Sequence, residues 1–187
     1  MPVACDFVDL FTTRPSKQAK ISIEGKGELE NNKERGKTMK IRFESRTGFI
    51  VHGYAVETIL SSCENDVGQL WEKYEESLLC IPESESCLYG VMWYTENHRY
   101  YYHLGILSDI PHKSDMTAVM IPPANFAIAD VPKSMDTIEA WTQFFEKELP
   151  LLGYIPDAEH GRYFEFYGAS GECELWTPVI KMADNSQ

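Results

Sequence analysis

The order of elements in residues 40–181 constrains this chain more than any other feature. Residues 49–56, FIVHGYAV, are an apolar run that reads as a strand. Ser61 and Glu64 then have the S-x-x-E spacing of a capping box. Val67, Leu70, Trp71, Tyr74 and Leu78 follow at helical spacing as one apolar stripe, closed by Pro82. Two aromatic-rich strands come next, at about 87–94 and 100–107, with a hairpin loop at 96–99. The second half repeats the order. A strand-like segment at about 117–130 is bent at Pro122-Pro123. Ser134 caps a helix with apolar positions Ile138, Trp141, Phe145 and Leu149, which Pro150 stops. Strands at 162–168 and 173–180 flank a tight turn at 169–172. FIVHGYAV is echoed by FAIADVP, and LWEKY by AWTQFF. The predicted fold is α+β: two strand–helix–strand–strand modules related by a pseudo-twofold axis, with antiparallel sheets and a central ligand cleft.

The first 39 residues differ from this body. Residues 24–38, EGKGELENNKERGKT, are polar and short of apolar side chains, and read as linker. Residues 19–23 suit a short strand. The expected organisation is an N-terminal extension over 1–39, a domain over 40–181 and a tail over 182–187. Charge divides the same way. The chain has 17 Lys+Arg and 29 Asp+Glu, a net charge of −12, yet residues 1–40 hold 8 and 6 of these. The acidic body repels phosphate backbones, which argues against direct nucleic-acid binding. It attracts cations weakly and in a salt-dependent way.

Several functions lose support at once. No apolar run approaches the ~20 residues of a spanning helix, and the N-terminus lacks the pattern of a signal peptide. The five cysteines form no C-x-x-C pair and read as reduced thiols of a cytoplasmic protein. Gly36-Lys37-Thr38 ends like a P-loop, but the first glycine of that motif would fall on Asn31. Gly168-Ala169-Ser170-Gly171 is a turn and not a nucleophile elbow. His52, His98, His103, His112 and His160 have no helical metal spacing, so neither a metal nor a cofactor is expected.

The informative segment is Tyr163-Phe164-Glu165-Phe166-Tyr167. Strand residues alternate faces. Phe164 and Phe166 suit the face covered by the helices, which leaves Glu165 between Tyr163 and Tyr167 on the other. A carboxylate among rings can hold a cation by charge and ring faces together, or serve as an acid or base. Trp93, Tyr102, Tyr54, Trp141 and Trp176 are the further candidates for lining the cleft, alongside Tyr163. Glu165 and Tyr167 are the candidates for catalysis.

These residues bring a family into view. LeuTyrGlyVal at 88–91, TyrTyrHisLeuGlyIle at 101–106, and Trp141…Glu148-Leu149-Pro150…Gly153-Tyr154 resemble the GyrI-like small-molecule-binding family. That family includes the effector-binding domain of bacterial multidrug-sensing transcription activators. The closing Glu165-Phe166-Tyr167…Trp176-Thr177-Pro178-Val179 resembles its E-x-Y…P-V ending. The resemblance spans about 40–181. It implies a central cleft with Glu165 at its base and bulky aromatic, often cationic, ligands. One stand-alone subfamily hydrolyses cyclopropanoid DNA-alkylating agents. With no helix-turn-helix pattern before residue 40, the expectation is a stand-alone protective hydrolase of aromatic xenobiotics. In such an enzyme Glu165 would activate a water and a tyrosine hydroxyl would stabilise developing charge. The alternative is a non-catalytic drug sink or sensor, like the activator domains or a gyrase inhibitor, acting on a protein partner.

Overall fold

A computed structural model describes residues 39–59, 61–78, 87–95, 99–109, 111 and 113–183. The readings made on 1–38, Pro82, Cys5, Cys80, His98, His112 and 184–187 lie outside these residues. The elements are β1 (Lys40–Arg46), β2 (Phe49–Thr58), α1 (Cys63–Leu78), β3 (Leu88–Tyr94), β4 (Tyr100–Leu107), β5 (Thr117–Ile121) and β6 (Ala124–Asp130). Then come α2 (Thr137–Gln143), a π-helical stretch (Phe144–Glu148) and the short α3 (Leu149–Leu151). β7 (Tyr154–Pro156), β8 (Tyr163–Tyr167) and β9 (Cys173–Lys181) complete the chain. The fold is a mixed α+β architecture, as the sequence predicts.

All strand pairs are antiparallel, in the order β1-β6-β9-β8-β3-β4-β2-β5, with β7 beside the end of β9. β1 lies along β6, and β2 along β5, in one continuous register: Arg46 faces Ala124, and Phe49 faces Ile121. The two ladders join where Gly48 lies against Ile121 and Pro123. The sheet therefore curls back on itself. Its inner face holds Val51, Tyr89, Val91, Val119, Ile121, Phe126, Ile128, Phe164 and Trp176. Among the described residues no helix residue belongs to their cluster, and the curled sheet packs them against one another. Gly53 opposite Gly105 permits the close approach of β2 and β4, since a Cβ on Gly53 would stand 2.0 Å from the Leu104 carbonyl oxygen.

The outer face carries both helices. Val67, Leu70 and Tyr74 of α1 join Trp141, Phe144, Phe145 and Leu149 over Tyr102, Leu104, Tyr163 and Leu175. α1 starts later than the Ser61 capping box implies, with its first backbone bond running from Asp66 N–H to Ser62 O. α2 starts at Asp136 and not Ser134: the Asp136 carboxylate accepts the Glu139 N–H at 2.8 Å. Pro150 does not stop this helix. The π stretch, with Leu149 N–H bonding Phe144 O, leads into a last turn that contains Pro150 and ends before Gly153 at φ 77°.

Candidate functional site

Glu165 sits at the centre of the sheet on β8, opposite Gly90 of β3. It is 0% exposed. The alternation along β8 is as predicted, but its faces are inverted. Glu165, Tyr163 and Tyr167 point toward the helices, and Phe164 lies inside the curled sheet. A buried carboxylate needs strong compensation, and three rings supply it. The Trp141 indole N–H donates to Oε1 at 3.1 Å. The Tyr102 and Tyr167 hydroxyls donate to Oε2 at 3.0 and 2.6 Å. The donors arrive from α2, β4 and β8, so one carboxylate ties three elements together.

Gly90 makes this approach possible. A Cβ there would stand 2.3 Å from the Tyr102 hydroxyl oxygen and 3.2 Å from Glu165 Oε2. Phe145 stacks on Trp141 at 5.1 Å and meets Tyr163 edge-on at 5.8 Å. Burial, with the Asp157 charge adding to it, pushes the Tyr163 phenol up to about 12, which keeps it a neutral ring wall. On the other side, half-buried Trp71 of α1 meets Tyr167 edge-on at 5.4 Å. Trp71 was not among the sequence candidates, because in a helical stripe it reads as core. Its signal was the echo of LWEKY in AWTQFF, which aligns it with Trp141.

The structure thus brings Glu165, Tyr167, Tyr102, Tyr163 and Trp141 together. It does not bring in Trp93 or Trp176. Trp176 alternates with Leu175 and Thr177 on β9, so it points into the curled sheet and stacks on Phe164 at 5.2 Å. Trp93 is on the same inner face, between Tyr101 at 5.1 Å and the Arg162 guanidinium at 4.4 Å. Tyr54 shares the helix face but stands on β2, three strands from β8. There its hydroxyl donates to Asp115 at 3.2 Å under Lys73. Asp157, Glu159 and His160 come within 4.8 Å of one another on a turn, where Asp157 accepts the backbone N–H groups of Glu159 and His160. No helix among the described residues is long and apolar enough to cross a membrane.

The protein is thus a curled antiparallel sheet with two helices over a ring-lined buried carboxylate, an α+β class of fold. The model of the family described as "Cass2: Integron-associated effector binding protein" matches residues 42–179. The chain belongs to this family, and the GyrI-like resemblance is borne out. An integron cassette protein from the mobile metagenome of Vibrio cholerae has a similar structure, with TM-score 0.54 and 17% identity over 75% of this chain and 95% of that one. So does a protein from Staphylococcus aureus described as acting in bacterial transcription regulation: TM-score 0.54, 11% identity, 76% of this chain and 99% of that one. SAV2435, solved bound to tetraphenylphosphonium, gives TM-score 0.56 and 10% identity over 76% and 94%. Comparison with the curated proteins finds no match.

These findings overturn the expected hydrolase. The family is described as one of effector-binding proteins, not of hydrolases. The geometry supplies a physical reason. Glu165 is 0% exposed and its oxygens accept from three ring donors, whereas a base must reach the water it activates.

Proposed function

We propose that the chain is an effector-binding protein, a sensor or sink that takes a bulky aromatic cation between α1 and α2 over Glu165. The observation that carries this is the fully buried carboxylate enclosed by aromatic rings. Charge attraction in a low-dielectric site and ring faces act on a cation together, and neither needs a specific shape. The tetraphenylphosphonium bound to SAV2435 is a ligand of this kind on a similar fold. Glu165 is the anchor, Tyr102, Tyr167 and Trp141 hold it, and Tyr163 and Trp71 extend the aromatic wall.

Residues 40–181 form the ligand-binding domain in this reading, supported by the family match over 42–179. Its two modules are related by a pseudo-twofold axis between β3 and β8. In support, the strand order reads the same from either end when β1, β2, β3 and β4 exchange with β5, β6, β8 and β9. Trp71 and Trp141 are then counterparts on the two sides of the site. The signal passes to a protein partner, without direct nucleic-acid contact, in the cytoplasm.

Tryptophan fluorescence during titration with tetraphenylphosphonium tests the reading. Saturable binding is expected, and Glu165→Gln weakens it by about tenfold or more while circular dichroism stays native. Equal affinity in a folded Glu165→Gln variant, or no saturable binding of the wild type, overturns it.

A further inference from the structure

We propose that the site selects cations without hydrogen-bond donors over protonated amines, and that Tyr102, Tyr167 and Trp141 set this preference. The inference rests on the cation-binding reading above and adds the chemistry of the charged group. An ionised carboxylate is an acceptor only, with about four lone-pair sites on its two oxygens. In this protein Oε2 already accepts two hydroxyls, at 3.0 and 2.6 Å, and Oε1 accepts an indole N–H at 3.1 Å. The charge of Glu165 is available to a ligand, but its hydrogen-bonding capacity is largely spent.

The two kinds of cation fare differently here. A protonated amine brings up to three N–H donors that water satisfied before binding. Inside the site one donor can take the remaining lone pair of Oε1, and the others must share a phenol oxygen, go unpaired, or displace a ring donor that then goes unpaired itself. A buried unsatisfied donor is expensive either way. A quaternary ammonium or phosphonium group has no N–H to satisfy. It loses only diffuse hydration, keeps the Coulomb attraction, and meets the faces of Tyr163, Tyr167 and Trp71. Gly90 sharpens the preference, because it admits the Tyr102 hydroxyl to the second position on Oε2.

A matched pair of probes tests this: (pyren-1-ylmethyl)trimethylammonium and pyren-1-ylmethylammonium, titrated at neutral pH against wild type and Tyr167→Phe. The wild type is expected to bind the quaternary compound about tenfold more tightly. Tyr167→Phe frees a lone pair on Oε2 and is expected to shrink that ratio by improving the primary ammonium. The change in ratio separates this effect from the added apolar surface of the methyl groups, which the variant leaves in place. Tyr102→Phe serves as the second variant should Tyr167→Phe lose its fold. Equal affinity for both probes in the wild type, or an unchanged ratio in a folded variant, overturns the selectivity alone. Binding of neither probe overturns both the selectivity and the cation-binding reading.

Discussion

At the scale of single residues, small steric and charge facts decide the site. Gly90 is the sharpest. Alanine there would drive a methyl into the Tyr102 hydroxyl at 2.3 Å and the Tyr102 Cζ at 2.9 Å, both inside contact distance. Tyr102 is 1% exposed and has little room to retreat. Gly90→Ala is therefore expected to destabilise the fold by about 1–3 kcal/mol and to weaken cation binding together. Denaturant titration and ligand titration of the same variant check this, and an unchanged midpoint contradicts it. His103 gives a pH prediction. It is 1% exposed, its Nε2 lies 3.2 Å from Thr117 O, and burial, with His52 nearby, holds its pKa below the usual 6.5. Below pH 6.5 the unfolded chain takes up a proton that the folded one refuses, so stability is lost as pH falls. Melting temperatures from pH 7.5 to 5.5 should decline, and His103→Gln should flatten the decline. A parallel decline in both proteins would assign it to other groups.

At the scale of elements, the period was legible and the facing was not. The alternation of Tyr163-Phe164-Glu165-Phe166-Tyr167 names the residues that travel together. It cannot say which set meets the helices, because this strand is buried on both sides. Phe164 and Glu165 are both 0% exposed, one against the curled sheet and one against α2. Phenylalanines beneath helices are the ordinary expectation, and the curl of the sheet gave them another interior. The same curl took Trp93 and Trp176 from the site. It depends on β1–β6 and β2–β5 pairing, which joins residues far apart in sequence. β7 escaped notice because three residues carry no period. The helices were found, but the cap of α2 was misplaced by two residues, and that cap is testable. Asp136→Ala removes the acceptor for the Glu139 N–H and is expected to cost about 1 kcal/mol, seen as a lowered melting temperature. Ser134→Ala should lower it less than Asp136→Ala does, since the cap bond belongs to Asp136. The reverse ranking would restore the sequence-based assignment.

At the scale of the whole molecule, the net charge of −12 and the single carboxylate of Glu165 act on a ligand over different ranges. The distributed charge works through solvent, where ions screen it beyond about 8 Å at physiological salt. In the proposed reading Glu165 works at contact inside a desolvated site, where salt barely reaches. Both attract a cation, so a lone affinity cannot separate them. Their salt dependence can. Raising ionic strength from 20 to 500 mM, an about 25-fold change, should weaken tetraphenylphosphonium binding along a shallow slope set by the distributed charge. Glu165→Gln should displace the whole line toward weaker binding and leave most of that slope, since it removes one charge of many from the long-range field. If the variant instead abolished the slope, the carboxylate would have to be reached by salt, and a sealed anchor would be the wrong description of Glu165. If wild-type affinity did not change with salt, the acidic surface would play no part in gathering cations, and selection would rest on the ring-lined carboxylate alone.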